Sequence, residues 1–134
     1  MVKYKKKLDA DIRCPLEYGL TIFGGKSGEY PQKLYKALMN SQTVLTVWDD
    51  ARLVGLIRVL DDSEMLAQIH YVLVHPEYQG RGIAGRMVEY IKEKYKNFMY
   101  LELMPEDKNN VPFYEKHGFH VMENGAAMQI CNIN

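Results

Sequence analysis

The 134-residue sequence predicts an α/β fold, a mixed sandwich in the order strand, helices, three strands, helix, strand, helix, strand. Three observations lead there. Two β-branched, apolar runs, "TVLTVW" (43–48) and "RLVGLIRVL" (52–60), flank the turn "DDA" and read as a hairpin. A third run, "LAQIHYVLVH" (66–75), is apolar enough for a central strand and leads through glycines into a segment of helical spacing. A further strand and helix, "FMYLELM" (98–104) and "NNVPFYEKHGF" (109–119), follow it.

Each element has local reasons. Residues 2–8 alternate lysines at 3, 5 and 7 with other residues, which suits a first strand with one wet face. Residues 11–30 are interrupted by Pro15, Gly19, Gly24, Gly25 and Gly28 and read as loop and broken helix around an opening. The "GGKS" within it (24–27) is not a phosphate-binding P-loop, because Leu20 stands where that motif needs its first glycine. Pro31 suits the first turn of a helix that buries Leu34, Ala37 and Leu38 and ends near Asn40. Ile83, Met87, Val88, Ile91 and Tyr95 share one helix face, with Arg86, Glu89, Lys92 and Glu93 opposite. In 109–119 an asparagine cap, Pro112 in the first turn and Gly118 past the end bracket a short helix. "AAMQICNI" (126–133) is expected to be the last strand of the sheet.

Composition narrows the function. Lysine plus arginine and aspartate plus glutamate both number 17, so overall charge points to no nucleic-acid partner. Two cysteines, Cys14 and Cys131, make no disulfide scaffold. No apolar run reaches the ~20 residues of a membrane span and no signal-peptide pattern opens the chain, so one domain over 1–134, cytoplasmic and without a membrane partner, is the expectation. No group of histidines, cysteines or carboxylates has metal-ligand spacing, and no metal is expected.

The glycines carry the chemistry. A strand, a turn with Gly80, Gly82 and Gly85, and then a helix start expose successive backbone amides and the positive end of a helix dipole. Glycine lets a phosphate approach that backbone closely. The literal G-x-G-x-x-G does not make a dinucleotide fold, because hairpin signals precede it instead of a parallel β-α-β repeat. A purely structural turn is the other reading of the glycines alone.

"VHPEYQGRGIAG" (74–85) resembles the acetyl-CoA-binding motif of the GNAT N-acetyltransferases, Gln/Arg-x-x-Gly-x-Gly/Ala, which Gln79, Gly82 and Ala84 fill. "FYEKHGF" (113–119) is similar to that superfamily's second signature, and the resemblance covers roughly residues 30–120. It implies a mixed central sheet of about 6–7 strands with about 4 helices, splayed between the fourth and fifth strands, where pantetheine lies like an added strand. Carried over, Val72, Leu73 and Val74 hold pantetheine, and the amides of Gln79, Gly80, Arg81, Gly82, Ile83, Ala84 and Gly85 hold the pyrophosphate. Arg81 either adds charge there or is merely solvated. The chain departs from the family pattern before the tyrosine, with Asp107 and Asn110 where asparagine and alanine are common.

Acetyl transfer to an amine needs a neutral nucleophile, a donor for the carbonyl oxygen and an acid for the leaving thiolate. The resemblance makes Tyr114 the acid and a cofactor contact, against the alternative of an aromatic packed beside Phe113. Val74 can supply the N–H to the oxygen. Alternation on 66–75 places Gln68, His70, Val72 and Val74 on one face. Histone-modifying relatives use a glutamate where Gln68 stands, and arylalkylamine relatives a histidine where His70 stands. His70 is thus the first candidate base, Glu102 the second, and a water chain the third. His75 is read as a rim residue, and His117 and His120 as cations suited to a helix end.

The expected activity is transfer of acetyl from acetyl-CoA to a primary amine, a small molecule because the short chain leaves little room for a peptide platform. Acetylation of a protein amine, an acetyl-CoA sensor without catalysis, and a purely structural domain are the alternatives. A homodimer is compatible with each.

Overall fold

The structure is a computed structural model that describes residues 2–6 and 29–133. The expectations for 11–28, the rejected "GGKS" included, and for residues 7 and 8 of the first strand lie outside the described residues, while Lys6 is described and already past the strand. The chain divides into two compact units, Met1–Leu103 and Met104–Asn134.

The first unit holds a five-stranded sheet in the order β1 to β5: β1 (Val2–Lys5), β2 (Thr43–Asp49), β3 (Arg52–Asp61), β4 (Leu66–Val74) and β5 (Tyr100–Leu103). Neighbours are antiparallel except β4 and β5, which run parallel. The "DDA" hairpin joins β2 to β3, with Asp50 in the left-handed region at φ +51° that such tight turns need. Helix α1 (Pro31–Met39) starts on its proline and ends at Asn40, whose side-chain amide donates to the Lys36 carbonyl at 3.0 Å. Its Leu34 and Leu38 join Val44, Trp48, Leu53 and Leu56 in one core cluster on one face of the sheet. Helix α2 (Ile83–Lys94) covers the other face with Ile83, Met87, Val88 and Ile91, all buried. Gly55 permits that approach: a Cβ there would sit 3.1 Å from the Val47 Cβ and 3.3 Å from Ile83. No helix of the described residues is long and apolar enough to cross a membrane.

The expected alternation along 66–75 fails at one residue. Arg58 pairs with Tyr71 and Val59 with Ile69, so His70 is an extra residue in β4, a bulge. Regular strand neighbours point to opposite faces, yet the His70 and Tyr71 rings meet edge to face with centroids 4.3 Å apart. Gln68 and His70 therefore share the α1 face with Tyr71 and Leu73, whereas Val72 and Val74 belong with Ile57 and Gly55 on the α2 face. The bulge corrects the single face expected for Gln68, His70, Val72 and Val74.

The second unit holds a single 3₁₀ turn (Lys108–Asn110) and α3 (Val111–Lys116), with Gly118 following at φ +93°. Asn110 takes the N-cap position of α3 as expected but makes no side-chain cap bond, while Asp107 caps the preceding 3₁₀ turn, its carboxylate accepting the Asn109 amide at 2.9 Å. The expected strand at 126–133 does not form. β-propensity needs a ladder to satisfy its backbone, and these residues enter none, with Met128 and Ile130 exposed. Among the described residues the sheet thus has five strands and three α-helices flank or follow it, fewer than the 6–7 and 4 expected.

One buried hydroxyl network locks α2 to the sheet. The Tyr95 phenol donates to Asp61 Oδ2 at 2.6 Å and accepts from Thr43 Oγ1 at 2.6 Å. Burial, and then the bond to Asp61, push its pKa up to about 12. Tyr95→Phe is expected to lower stability by about 1–3 kcal/mol in urea denaturation, since it leaves Thr43 and Asp61 without their partner. The sign of the pH dependence follows from a raised folded pKa. The phenol's contribution is complete below the ordinary tyrosine range near 10 and is lost as pH climbs towards about 12. Tyr95→Phe should flatten that alkaline loss; an unaltered alkaline slope would assign it to other groups.

Candidate active site

The site is built on two breaks in regular structure. The first is the end of the parallel ladder. β5 pairs with Leu66, Ala67, Gln68 and Ile69 and stops at Leu103, so among the described residues 71–74 of β4 are paired only to β3, and the bulged His70 enters neither register. The His75 amide donates to the Val54 carbonyl of β3 at 2.8 Å. Backbone groups alternate in direction along a strand. Leu73 therefore turns its N–H and C=O towards β3, while those of Val72 and Val74 face the open edge. The Gln79 side-chain amide already reaches the Val74 carbonyl at 3.2 Å, tying the loop to that edge.

The second break is the entry to α2. Gly80 and Gly82 both lie at φ +80°, a left-handed conformation that costs an L side chain about 1–2 kcal/mol. A Cβ at either would meet nothing within 4 Å, so the space over this backbone is open to an incoming group. The first helical bond is Arg86 N–H to the Gly82 carbonyl, at 3.1 Å, and no side chain caps the helix. The amides of Ile83, Ala84 and Gly85 consequently lack partners within the helix. No acid occupies the first turn, and Lys92 and Lys94 occupy the last, so the dipole is left positive at this end.

A support that the sequence reading did not single out braces the loop. Tyr78 is buried, and its phenol donates to the Asp49 carboxylate at the hairpin turn. That bond holds the Asp49 carboxyl below the usual carboxylate range and pushes the Tyr78 phenol up. The guanidinium groups of Arg81 and Arg52 lie 4.7 Å and 5.6 Å from the Tyr78 ring centre. Arg81 also donates to the Glu77 carbonyl at 3.2 Å, so it is engaged with its own loop. An aromatic beside a glycine turn gave the only hint of this brace in the sequence.

His70 is exposed on the bulge, at the start of the open edge. Arg58 Nη1 lies 2.8 Å from His70 Nδ1. Guanidinium only donates, so Nδ1 is the acceptor and the proton of the neutral ring sits on Nε2. Glu102 lies across from Gln68 on β5 and is half-buried. In the second unit, Tyr114 is half-buried on α3, with the Phe113 and Phe119 rings at 5.0 Å and 6.0 Å. Burial pushes its phenol up, which keeps the group protonated at neutral pH.

A strand edge with outward amides, beside a glycine-turned helix start, suits a ligand that bears both phosphate and amide groups. The sequence profile of the Acetyltransferase (GNAT) family matches residues 16–119, across both units, and the chain belongs to that family. It is 28% identical over 99 residues to an uncharacterized ycf52-like N-acetyltransferase of Prochlorococcus marinus, a match covering 70% of this chain. The chain spans about half of that relative's length, 55%. Among solved structures, a probable acetyltransferase of unknown function from Staphylococcus aureus superposes with a TM-score of 0.80 at 28% identity, covering 98% of this chain and 99% of the other. A predicted acetyltransferase of Clostridium acetobutylicum, solved with acetyl-CoA, shares the fold with a TM-score of 0.69 at 16% identity, covering 96% of each chain. Acetyl-CoA is the donor this family generally uses.

Proposed function

We propose that the protein moves the acetyl group of acetyl-CoA to the primary amine of a small molecule by direct attack in a ternary complex. The observation that carries this reading is the open edge of β4 at 70–74 beside the glycine-turned start of α2. In this reading the amides from Gln79 to Gly85 take the pyrophosphate, and the outward groups of Val72 and Val74 take pantetheine as an added strand. The neutral amine attacks the thioester carbon, forming the N–C bond. The Val74 N–H stabilises the oxygen that gains charge. Collapse breaks the C–S bond, and Tyr114 protonates the thiolate. His70 takes the ammonium proton on Nδ1 once Arg58 releases it, or through water.

A screen of amines for thiol release from acetyl-CoA tests the activity; binding of acetyl-CoA with no amine accepted would leave a sensor instead. With an acceptor in hand, kcat/KM is expected to fall as pH drops below the histidine range, about 6 to 7. His70→Gln should remove that acidic limb, and Glu102→Gln should keep it. The reverse pattern moves the base to β5, and a limb kept by both variants assigns deprotonation to water.

A further inference from the structure

Arg58 is a charged residue inside an apolar strand, and the protein provides it with no counter-ion among the described residues. Its Nε donates to Ser41 Oγ at 2.7 Å, its Nη1 to His70 Nδ1 at 2.8 Å, and its guanidinium lies 5.8 Å from the centre of the Tyr71 ring. All three partners are neutral. The side chain is half-buried, and burial pulls its pKa down, with no carboxylate opposing the effect. A desolvated cation is costly unless an anion meets it, and arginine's planar fork of five donors has only two spent here. Its position narrows what that anion belongs to. Arg58 stands across from Tyr71 on β3, one strand in from the open edge of β4, and touches the candidate base on the α1 face.

We infer that Arg58 is a specificity-determining residue, and that the acceptor amine carries an anionic group, carboxylate or phosphate, which the guanidinium binds. The inference rests on reading the edge at 70–74 as the place of acyl transfer. Guanidinium matches both anions with paired N–H donors, so the shared chemistry is a planar or tetrahedral oxyanion on the same small molecule as the amine. The anion competes with His70 for the guanidinium, so binding the acceptor also loosens the hold on Nδ1.

The test uses the protein saturated with coenzyme A, which fills the phosphate site and forms a dead-end complex. Three probes are titrated by calorimetry, with the His70 ring protons followed by NMR: β-alanine for carboxylate, O-phosphoethanolamine for phosphate, and neutral ethanolamine. At least one anionic probe is expected to bind about tenfold or more tightly than ethanolamine and to shift the His70 ring. That advantage should shrink to about twofold or less in Arg58→Gln and be partly kept in Arg58→Lys, which retains charge without the fork. The inference is overturned if ethanolamine binds as well as both anions, if no probe binds, if the advantage survives in Arg58→Gln, or if the variants weaken all three probes alike. The last result would make Arg58 a structural residue. Running the same amines with acetyl-CoA separates the two proposals. Arg58-dependent binding without acetylation leaves the anion site standing and removes the transferase reading.

Discussion

Acetyl-CoA is expected to raise the melting temperature of the wild-type protein, and Gly82→Val is expected to abolish that rise. A ligand that binds only the native state stabilises it by about 2.7 kcal/mol at a hundred times its Kd, so the wild-type shift is readily measured. Valine acts twice. Gly82 lies at φ +80°, where a β-branched residue is strongly disfavoured, so the free protein should lose about 1–2 kcal/mol or more. Its methyl groups also occupy space that is empty at this position, over the amides that open α2. Gly82→Asn separates these effects, because asparagine tolerates the left-handed region while still putting a side chain over the backbone. Both variants should bind acetyl-CoA weakly by calorimetry, with Gly82→Asn the better folded. Wild-type affinity in a folded variant would return the glycines to the role of a simple turn.

The second large effect belongs to Tyr114. Tyr114→Phe is expected to lower kcat by roughly ten- to a thousand-fold, the range for one acid–base group. Acetyl-CoA affinity should change little, because the ring and its contacts with Phe113 and Phe119 remain. The raised pKa of the phenol keeps it protonated across the neutral range, so any alkaline loss of rate due to Tyr114 sets in above the ordinary tyrosine value. Unchanged turnover, with the chemical step shown to limit the rate, would make Tyr114 a packing residue.

The hairpin, both amphipathic helices and the glycine-turned start of α2 were legible because each rests on a local signal. β-branched runs, Pro31, and the periodicity of Ile83, Met87, Val88 and Ile91 act over a few residues. The bulge at His70 was not legible, since it depends on how Arg58 and Val59 register against β4, a relation between strands. The same limit hid the brace between Tyr78 and Asp49, residues far apart in sequence. Residues 126–133 carry strand-like composition and yet join no ladder, because composition cannot supply a partner. Arg58 did leave a trace, a lone cation within "RLVGLIRVL", but its neighbours Ser41 and His70 come from other elements.

The bulge at His70 has a consequence for how this protein tolerates change over generations. Beyond it, Val72 and Val74 lend their side chains to the α2 face and their main-chain groups to the open edge. Any residue but proline that packs there keeps the same N–H and C=O in place, so the hydrogen-bonding groups of this edge can outlast drift in side-chain identity. Loss or gain of a single residue between Ile69 and Val72 is another matter. It shifts the strand by one position, which turns core side chains outward and exchanges which main-chain groups face β3 and which face the edge. Substitution is therefore cheap along this stretch, and insertion or deletion is ruinous.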